Sequence, residues 1–268
     1  MKEIIVYFFP ILIGVIFGIV GAGGSILTVP TLVYLIGIEP ILATSYSLFI
    51  VGITSFFGVI IKFKQGNVDV KTSIIFSLPS LISVYFTRKI IIPSLPDIII
   101  DFNGFIMGKN SIIMVLFSLI MFFSSLSMIG FKKTDLIIRE RKNNILNITI
   151  EGLLVGVLTG LVGAGGGFII IPALILFSGL SMQKAVGTSL MIITIKSLVG
   201  FMGDMSNSFN ISWSFLFFFS FLSILGMLLG SYISRDIKGN KLKNVFGYFI
   251  LIMSIFITFK EIIYLSKN

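Results

Sequence analysis

The 268-residue chain has 56% hydrophobic side chains, 12% charged side chains and a mean hydropathy of +1.10. Ordinary soluble domains carry about 25% charged residues, so this composition excludes them. The sequence contains no Cys and no His, which excludes disulfides, thiol nucleophiles and the usual zinc ligands. The net charge of +9 would indicate a nucleic-acid partner in a soluble protein, whereas in a membrane protein it marks cytoplasmic loops. We expect membrane lipid but no nucleic acid, metal or cofactor as partners.

Apolar segments of near-spanning length follow one another along the chain. They cover residues 4–36, 41–61, 72–92, 111–130, 145–178, 185–203, 211–233 and 242–265. The first and fifth segments are too long for one span, and a glycine cluster interrupts each of them. Met1 and Lys2 precede an apolar stretch, as in a signal peptide, but no A-x-A-like cleavage site follows. We therefore expect this segment to stay in the mature protein.

The sequence contains an internal repeat. Positions 14–58 align without a gap with positions 156–200, and 18 of the 45 pairs are identical. The identical pairs include Gly18 with Gly160, Gly21 with Gly163, Pro30 with Pro172, Gly37 with Gly179, and Ser47 with Ser189. We predict one integral membrane domain made of two repeats, residues 1–144 and residues 145–268.

The distribution of basic residues favours an inverted arrangement of these repeats. If each long segment crossed the membrane once, Lys and Arg outside the spans would divide eleven to eight between the two sides. If each long segment returns to the side from which it enters, they divide thirteen to six, which agrees better with the positive-inside rule. Each repeat then has an odd number of crossings, so the repeats must be inverted. The loops 62–71, 131–144 and 234–243 should be cytoplasmic, and both termini should lie outside.

The predicted fold class is therefore an all-α polytopic membrane protein with two inverted-topology repeats. Each repeat is expected to contain a re-entrant helical hairpin, broken at its glycines, plus three transmembrane helices. The second arms of the hairpins, residues 26–36 and 168–178, are about 17 Å long as helices, against a hydrocarbon core of about 30 Å. Such arms do not cross, and their unpaired backbone groups require a polar cavity around them.

The two glycine clusters are candidates for a binding site. A glycine inside a helix costs about 1 kcal/mol relative to Ala, so a run of them needs a reason. Close helix packing is one reason; the other is that a half-helix begins there, with N–H groups that favour an anion. Broken helices at matching places in two halves are typical of transporter sites, whereas the G-x-G-x-x-G spacing of dinucleotide sites is missing. The candidate residues are Gly21, Gly23, Gly24, Ser25, Gly163, Gly165, Gly166 and Gly167, with Pro30 and Pro172 as helix breaks.

The next helix of each repeat carries a polar stripe. Ser47 and Thr54 in the first repeat, and Ser189 and Lys196 in the second, are seven residues apart and share a helical face. The hydroxyl groups either bond to their own helix or line the site. Lys196 inside a span costs about 2.5 to 3.5 kcal/mol, so it either snorkels to the helix end or stabilises an anion.

Acidic side chains are scarce within the apolar segments. Glu151 opens the second hairpin and is a candidate proton site, but Phe9 occupies its place in the first repeat. Asp204 ends a span, and Glu39 and Asp69 are expected in loops.

The doubled motif G-x-x-G-x-G-G-[SG]-x-x-x-x-P-x-L, followed by Gly, Ala and a Thr-Ser step, resembles the sulfite exporter TauE/SafE family, also called the four-toluene-sulfonate uptake permease superfamily. The second repeat matches better, because Thr188 and Ser189 keep the step that Tyr46 interrupts in the first. The resemblance implies a secondary carrier of small sulfur-containing or organic anions, such as sulfite, sulfonates or sulfoacetate, in the cytoplasmic membrane. Thr188 joins the candidate ligands on this basis.

Two other functions remain open at this point. An intramembrane hydrolase could use Lys196 as a base for a serine, but Ser189 is two helical turns away and Ser197 points to another face. A structural assembly factor of the membrane would need neither matched glycine breaks nor a cation inside a span.

Overall fold

The computed structural model describes residues 2–21, 24–102, 105–129, 145–163, 165–176, 178–205, 211–234 and 239–265, which are almost entirely helical. The helices of the first repeat are α1 (Lys2–Val20), α2 (Gly24–Pro30) with a π-helical continuation (Thr31–Ile36), α3 (Pro40–Lys64), α4 (Val70–Phe86) with a π-helical continuation (Thr87–Ile91), α5 (Ile92–Ser94) and α6 (Lys109–Ile129). Those of the second repeat are α7 (Ile145–Val162), α8 (Gly167–Leu176), α9 (Met182–Met205), α10 (Trp213–Ile233) and α11 (Gly239–Leu265). A short antiparallel hairpin, β1 (Ile98–Phe102) and β2 (Phe105–Gly108), precedes α6.

Six helical segments in the described part of the chain are long and apolar enough to cross a membrane. They are Pro40–Lys64, Val70–Ser94, Lys109–Ile129, Met182–Met205, Trp213–Ile233 and Lys241–Leu265, one for each unbroken apolar segment of the sequence. Four shorter apolar helices, Phe8–Val20, Ile26–Ile36, Leu146–Val162 and Gly167–Leu176, correspond to the arms of the two predicted hairpins. The predicted all-α polytopic fold is confirmed.

Large apolar side chains cover the outside of the helix bundle. Phe123 on α6, Leu154 on α7, Phe217 on α10 and Ile252 on α11 are all exposed. A soluble protein rarely exposes so many large apolar side chains, because it would associate in water. These faces fit contact with lipid chains.

Helix contacts recur in the two repeats with the partners exchanged. Helix α1 packs on α10 and its counterpart α7 packs on α4, while α3 packs on α10 and its counterpart α9 packs on α4. The matching helices α3 and α9 contact each other, as do α6 and α11. Each principal contact between a helix of the first repeat and a helix of the second therefore recurs between the two equivalent helices.

Small residues allow the first arm of each hairpin to approach its neighbour closely. A methyl group placed on Gly14 would collide with the Ser223 carbonyl oxygen of α10. The equivalent Gly156 would meet the Ser80 carbonyl oxygen of α4 at 2.6 Å. At these positions the packing explanation for the glycines is correct.

The second arms of both hairpins end in the same way. Gly37 and Gly179 adopt φ values of 83° and 65°. The following residues, Ile38 and Leu180, donate backbone hydrogen bonds of 2.9 Å and 3.2 Å to carbonyls six residues earlier. Each arm thus ends at a left-handed residue, a conformation that glycine adopts without strain. The repeat seen in the sequence therefore extends to local backbone geometry.

Candidate functional site

The second glycine cluster separates two helices, as predicted. Helix α7 ends at Val162 and α8 begins at Gly167. Between them Gly163, Gly165 and Gly166 have φ values of 68°, 65° and 71°, which side chains other than glycine rarely allow. Helix α8 has ten residues and is about 15 Å long, half of a hydrocarbon core of about 30 Å.

The first glycine cluster separates α1 from α2 in the same manner. Gly21 adopts a φ of 81°, and a methyl group on it would collide with Val186 Cγ1 of α9. Gly24 begins α2 and packs against the Phe17 ring of α1. Gly23 and the side chain of Ser25 lie outside the described residues.

The prolines do not break the helices, so that part of the prediction is wrong. Helix α8 continues for four residues beyond Pro172, and Pro30 ends α2 without ending the arm, which continues as a π-helix. Proline lacks the N–H that would bond the carbonyl four residues earlier. For Pro172 that carbonyl belongs to Phe168, and the Ser124 hydroxyl of α6 donates a hydrogen bond to it instead. A side chain from a neighbouring helix thus satisfies the group that the proline leaves unpaired.

Lys196 lies against the second glycine cluster and does not snorkel. Its side chain is 1% exposed, and its Nζ donates a 2.7 Å hydrogen bond to Thr159 Oγ1 of α7. A methyl group on Gly166 would lie 2.9 Å from the same Nζ. Within the described residues the ion pairs are those of Arg88 with Asp204 and of Lys109 with Asp97, so Lys196 is a buried cation without an acidic partner there.

The glycine loop also reaches the middle of the bundle. A methyl group on Gly165 would lie 2.6 Å from Val51 Cγ1 of α3, 3.3 Å from Ile193 Cγ2 of α9 and 3.4 Å from Ser197 Oγ. Val51 and Ile193 are aligned positions of the two repeats. The loop therefore lies where the two repeats meet.

The predicted hydroxyl groups have different environments. Ser47 and Thr54 are buried on α3, and neither oxygen has a hydrogen-bond partner among the described residues. Ser189 donates to the Val186 carbonyl of its own helix at 2.8 Å. Thr188 accepts a 2.9 Å bond from the Asp69 backbone N–H, about 12 Å along α9 from Lys196. Of the three candidate residues on α9, Thr188, Ser189 and Lys196, these contacts place only Lys196 beside the glycine loop.

Glu151 is half-buried on α7, eight residues before Thr159. Eight residues of helix span about 12 Å, so its carboxylate is remote from the Lys196 ammonium. A different acid, Glu261 of α11, is buried and accepts a 3.2 Å hydrogen bond from the Tyr34 hydroxyl in the first hairpin. The sequence reasoning overlooked Glu261, although it lies within the apolar segment 242–265.

A buried ion pair beside the glycine loop was also missed. Arg88 Nη2 lies 3.2 Å from Asp204 Oδ2, and the Arg88 guanidinium donates 3.0 Å bonds to Thr44 Oγ1. Ser45 Oγ donates to the same Asp204 oxygen. A methyl group on Gly163 would lie 2.8 Å from Arg88 Nη2. A sequence signal was available, since Arg88 falls inside the apolar segment 72–92.

The sequence profile described as "Sulfite exporter TauE/SafE" matches residues 6–257. The chain belongs to the sulfite exporter TauE/SafE family. The broken hairpins, the helix composition and the match over nearly the whole chain agree with one another. This TauE/SafE protein is a multi-pass membrane transporter and not an enzyme.

The names of several relatives of this TauE/SafE chain agree with a transport function. A "Probable membrane transporter protein" of Xylella fastidiosa (strain Temecula1) is 26% identical over 257 residues, covering 93% of this chain and 92% of that protein. "Probable membrane transporter protein MJ0441" of Methanocaldococcus jannaschii is 28% identical over 199 residues, covering 71% and 69%. "Probable membrane transporter protein YdhB" of Bacillus subtilis (strain 168) is 24% identical over 249 residues, covering 92% and 93%. No solved structure shows significant similarity to the chain.

The contacts also argue against the hydrolase. Its two groups are engaged elsewhere, because the Ser189 hydroxyl donates to its own helix and the Lys196 ammonium donates to Thr159. A general base must lie within hydrogen-bond reach of the nucleophile, and these two side chains are two helical turns apart.

Proposed function

We propose that this TauE/SafE transporter carries a small sulfur-containing or organic anion of the sulfite, sulfonate or sulfoacetate type. The anion binds beside Lys196, at the glycine loop that precedes α8. The observation that carries the proposal is the Lys196 ammonium, which is buried against Gly166 without an acidic partner among the described residues. An uncompensated charge in a low-dielectric interior is strongly unfavourable, and a bound anion compensates it.

The backbone beside Lys196 supports the same chemistry. Helix α8 begins at Gly167, so its first N–H groups and the positive end of its dipole lie next to the ammonium. Glycines at positions 163, 165 and 166 adopt left-handed φ values that other residues rarely allow, and this turn leads directly into the start of α8. Thr159 adds a hydroxyl that already bonds the Lys196 ammonium.

The repeats are proposed to be inverted, with both hairpins re-entrant. The exchanged helix contacts support this arrangement, because two copies related by a two-fold axis would make them. The start of α9 lies at the same end of the bundle as the loop after α3, since Thr188 accepts a bond from Asp69 and Gly187 packs against Asn67. A second hairpin that returns to its side of entry brings these segments together, whereas a single crossing would separate them.

Transport then requires that the central site beside Lys196 opens alternately to the two sides of the membrane. The route from one side to the other through this site is the transport path. The ion pair of Arg88 and Asp204 links α4 to α9 at the end of the bundle where α3 begins, together with Thr44 and Ser45 of α3. By the charge distribution this end faces outside. We assign the ion pair the role of closing the outer end when the central site is open to the other side.

The test is a binding screen on purified, detergent-solubilised protein. Sulfite, sulfate, thiosulfate, sulfoacetate and acetate are added separately, with chloride as the matched control, and the apparent unfolding temperature is measured. A ligand at 100 times its Kd stabilises a protein by about 2.7 kcal/mol, which such a screen detects. We expect at least one sulfur oxyanion to raise the unfolding temperature and acetate or chloride to do less. Equal responses to all five anions and chloride would contradict the proposed substrate class.

A further inference from the structure

Lys62 is another buried cation, at the opposite end of the bundle from the ion pair of Arg88 and Asp204. It lies in the last turn of α3, where basic side chains usually extend into water, yet it is only 8% exposed. Lys64, two residues further along, is exposed. Burial is thus specific to Lys62 and is not a property of the helix end.

Lys62 lines a small cavity of about 30 Å³ together with the polar residues Gln65, Asn67, Gln183 and Ser234. A water molecule needs about 10–15 Å³, so the cavity holds roughly two waters or one small ion. The amide groups of Gln65, Asn67 and Gln183 carry N–H donors, and Lys62 adds a positive charge. A cavity with these groups favours an anion with several acceptor oxygens.

No acidic side chain neutralises Lys62 among the described residues. Its Nζ donates a 3.3 Å hydrogen bond to Gln65 Oε1, which is a neutral acceptor. The second repeat differs at the equivalent position. If the alignment of the repeats is continued beyond residues 58 and 200, Lys62 aligns with Asp204. Asp204 pairs with Arg88, so one end of the path has a neutralised pair and the other has a cation beside a cavity.

The cavity adjoins the first glycine cluster. Val186 of α9 lines the cavity, and the Val186 Cγ1 atom also packs directly on Gly21. One side chain therefore separates the cavity from the loop that precedes α2. Val186 is ten residues before Lys196, or about 15 Å along α9, so this location is distinct from the central site.

We propose that Lys62 and the surrounding amide groups form a second anion site, at the cytoplasmic end of the path, which takes the transported oxyanion as it enters or leaves the central site. The proposal rests on the proposed function, since it assigns the same anion to both places. The second-site proposal adds that the anion contacts Lys62 on its way to or from Lys196.

The absence of Cys from the sequence permits a chemical test. Lys62→Cys removes the charge, and alkylation with 2-bromoethylamine then builds a thioether side chain that ends in an ammonium, close in length to lysine. Alkylation with iodoacetamide adds a neutral group of similar size. Lys64→Cys, treated in the same ways, is the matched control, because that side chain is exposed on the same helix turn.

Sulfite binding to each purified protein is measured by isothermal titration calorimetry. We expect Lys62→Cys to raise the Kd about tenfold, as for the loss of one hydrogen bond to a charged group. Aminoethylation should restore most of the affinity and iodoacetamide should not, while the Lys64→Cys protein stays within about twofold of the parent throughout. If Lys62→Cys unfolds during purification, Lys62→Met and Gln65→Leu are measured instead, with the same expected loss for Lys62→Met.

The outcomes separate the two proposals. Unchanged sulfite affinity in Lys62→Cys, or an equal loss in Lys64→Cys, overturns the second site and leaves the proposed function standing. Loss of affinity at Lys62 with no loss in Lys196→Met supports the second site and overturns the central one. A parent protein that binds no sulfite overturns both.

Discussion

The guanidinium of Arg88 lies 3.2 Å from the carboxylate of Asp204, and the two side chains are 0% and 2% exposed. Thr44 and Ser45 of α3 supply further hydrogen bonds to the pair, so three helical segments meet at one charged cluster. Desolvation of two charges opposes burial, which means that the cluster is stable only while both partners are present.

Asp204→Asn should therefore destabilise the protein strongly. Removal of one partner from a buried pair costs about 3–5 kcal/mol, because the other charge remains buried without compensation. The double variant Arg88→Met, Asp204→Leu should recover part of this loss. The apparent unfolding temperature in detergent measures the effect in each single variant and in the double variant.

The exposed pair of Asp97 and Lys109 is the matched control. Asp97→Asn removes an ion pair whose acidic side chain is largely in water, where screening makes the pair weak. No measurable change in unfolding temperature is expected. An equal effect at positions 97 and 204 would show that burial of the Arg88 pair has no energetic role.

Lys196→Met should preserve the fold and weaken anion binding. Met occupies a similar volume without the desolvation penalty, while the substrate loses the nearest cation, so we expect about a tenfold or larger rise in Kd. Lys196→Arg should be intermediate, because a planar fork replaces a compact charge. Titration calorimetry on monodisperse protein measures both variants, with exposed Lys184→Met as the control. Unchanged affinity in Lys196→Met would leave the backbone and the hydroxyl groups as the site.

Gly166→Ala should abolish binding, because its new methyl group would collide with Thr159 Cγ2 and lie 2.9 Å from Lys196 Nζ. Gly179→Ala is the control for backbone strain. It has a similar φ of 65°, but no atom lies within 4 Å of the new methyl group. Both variants incur about 1–2 kcal/mol of left-handed strain, and Gly166→Ala should lose further stability because its methyl group also collides with Thr159. Only Gly166→Ala should lose anion binding, and equal binding by the two variants would refute the site.

Gly165→Leu and Gly23→Leu extend the same test to both repeats. A leucine side chain at position 165 would meet Val51 and Ile193 at the centre of the bundle. We expect both proteins to insert and both to lose transport, measured as anion flux into proteoliposomes. Full transport by both variants would show that these glycines serve only close helix packing.

The inverted topology predicts which positions a membrane-impermeant thiol reagent reaches. Lys64→Cys and Lys184→Cys should react only from the cytoplasmic side, and Asp97→Cys only from outside. All three positions are exposed, and the sequence has no other Cys to interfere. Labelling of positions 64 and 184 from opposite sides would end the model of two re-entrant hairpins.

The sequence alone determined the helical membrane fold, the six unbroken spans and the place of both helix breaks. Hydropathy and glycine clusters are local signals, and a gap-free repeat at one constant shift needs no structure to be seen. The same local reasoning left two alternatives for Lys196, which were snorkelling to the helix end and stabilising an anion. It misjudged Pro172, because the compensating hydroxyl of Ser124 comes from a distant helix.

Only the tertiary structure decided which polar groups pair. Lys62 and Asp204 look like loop or helix-end residues in the sequence, since a charged residue at the end of an apolar segment is ordinarily solvated, and Arg88 has no partner that the sequence identifies. Their burial depends on how α3, α4 and α9 pack, and the hydrogen bonds from Thr44 and Ser45 join residues far apart in the chain. The energy of a charge is set by its surroundings in three dimensions, so the sequence could indicate where charges stand along each helix but not which of them are neutralised.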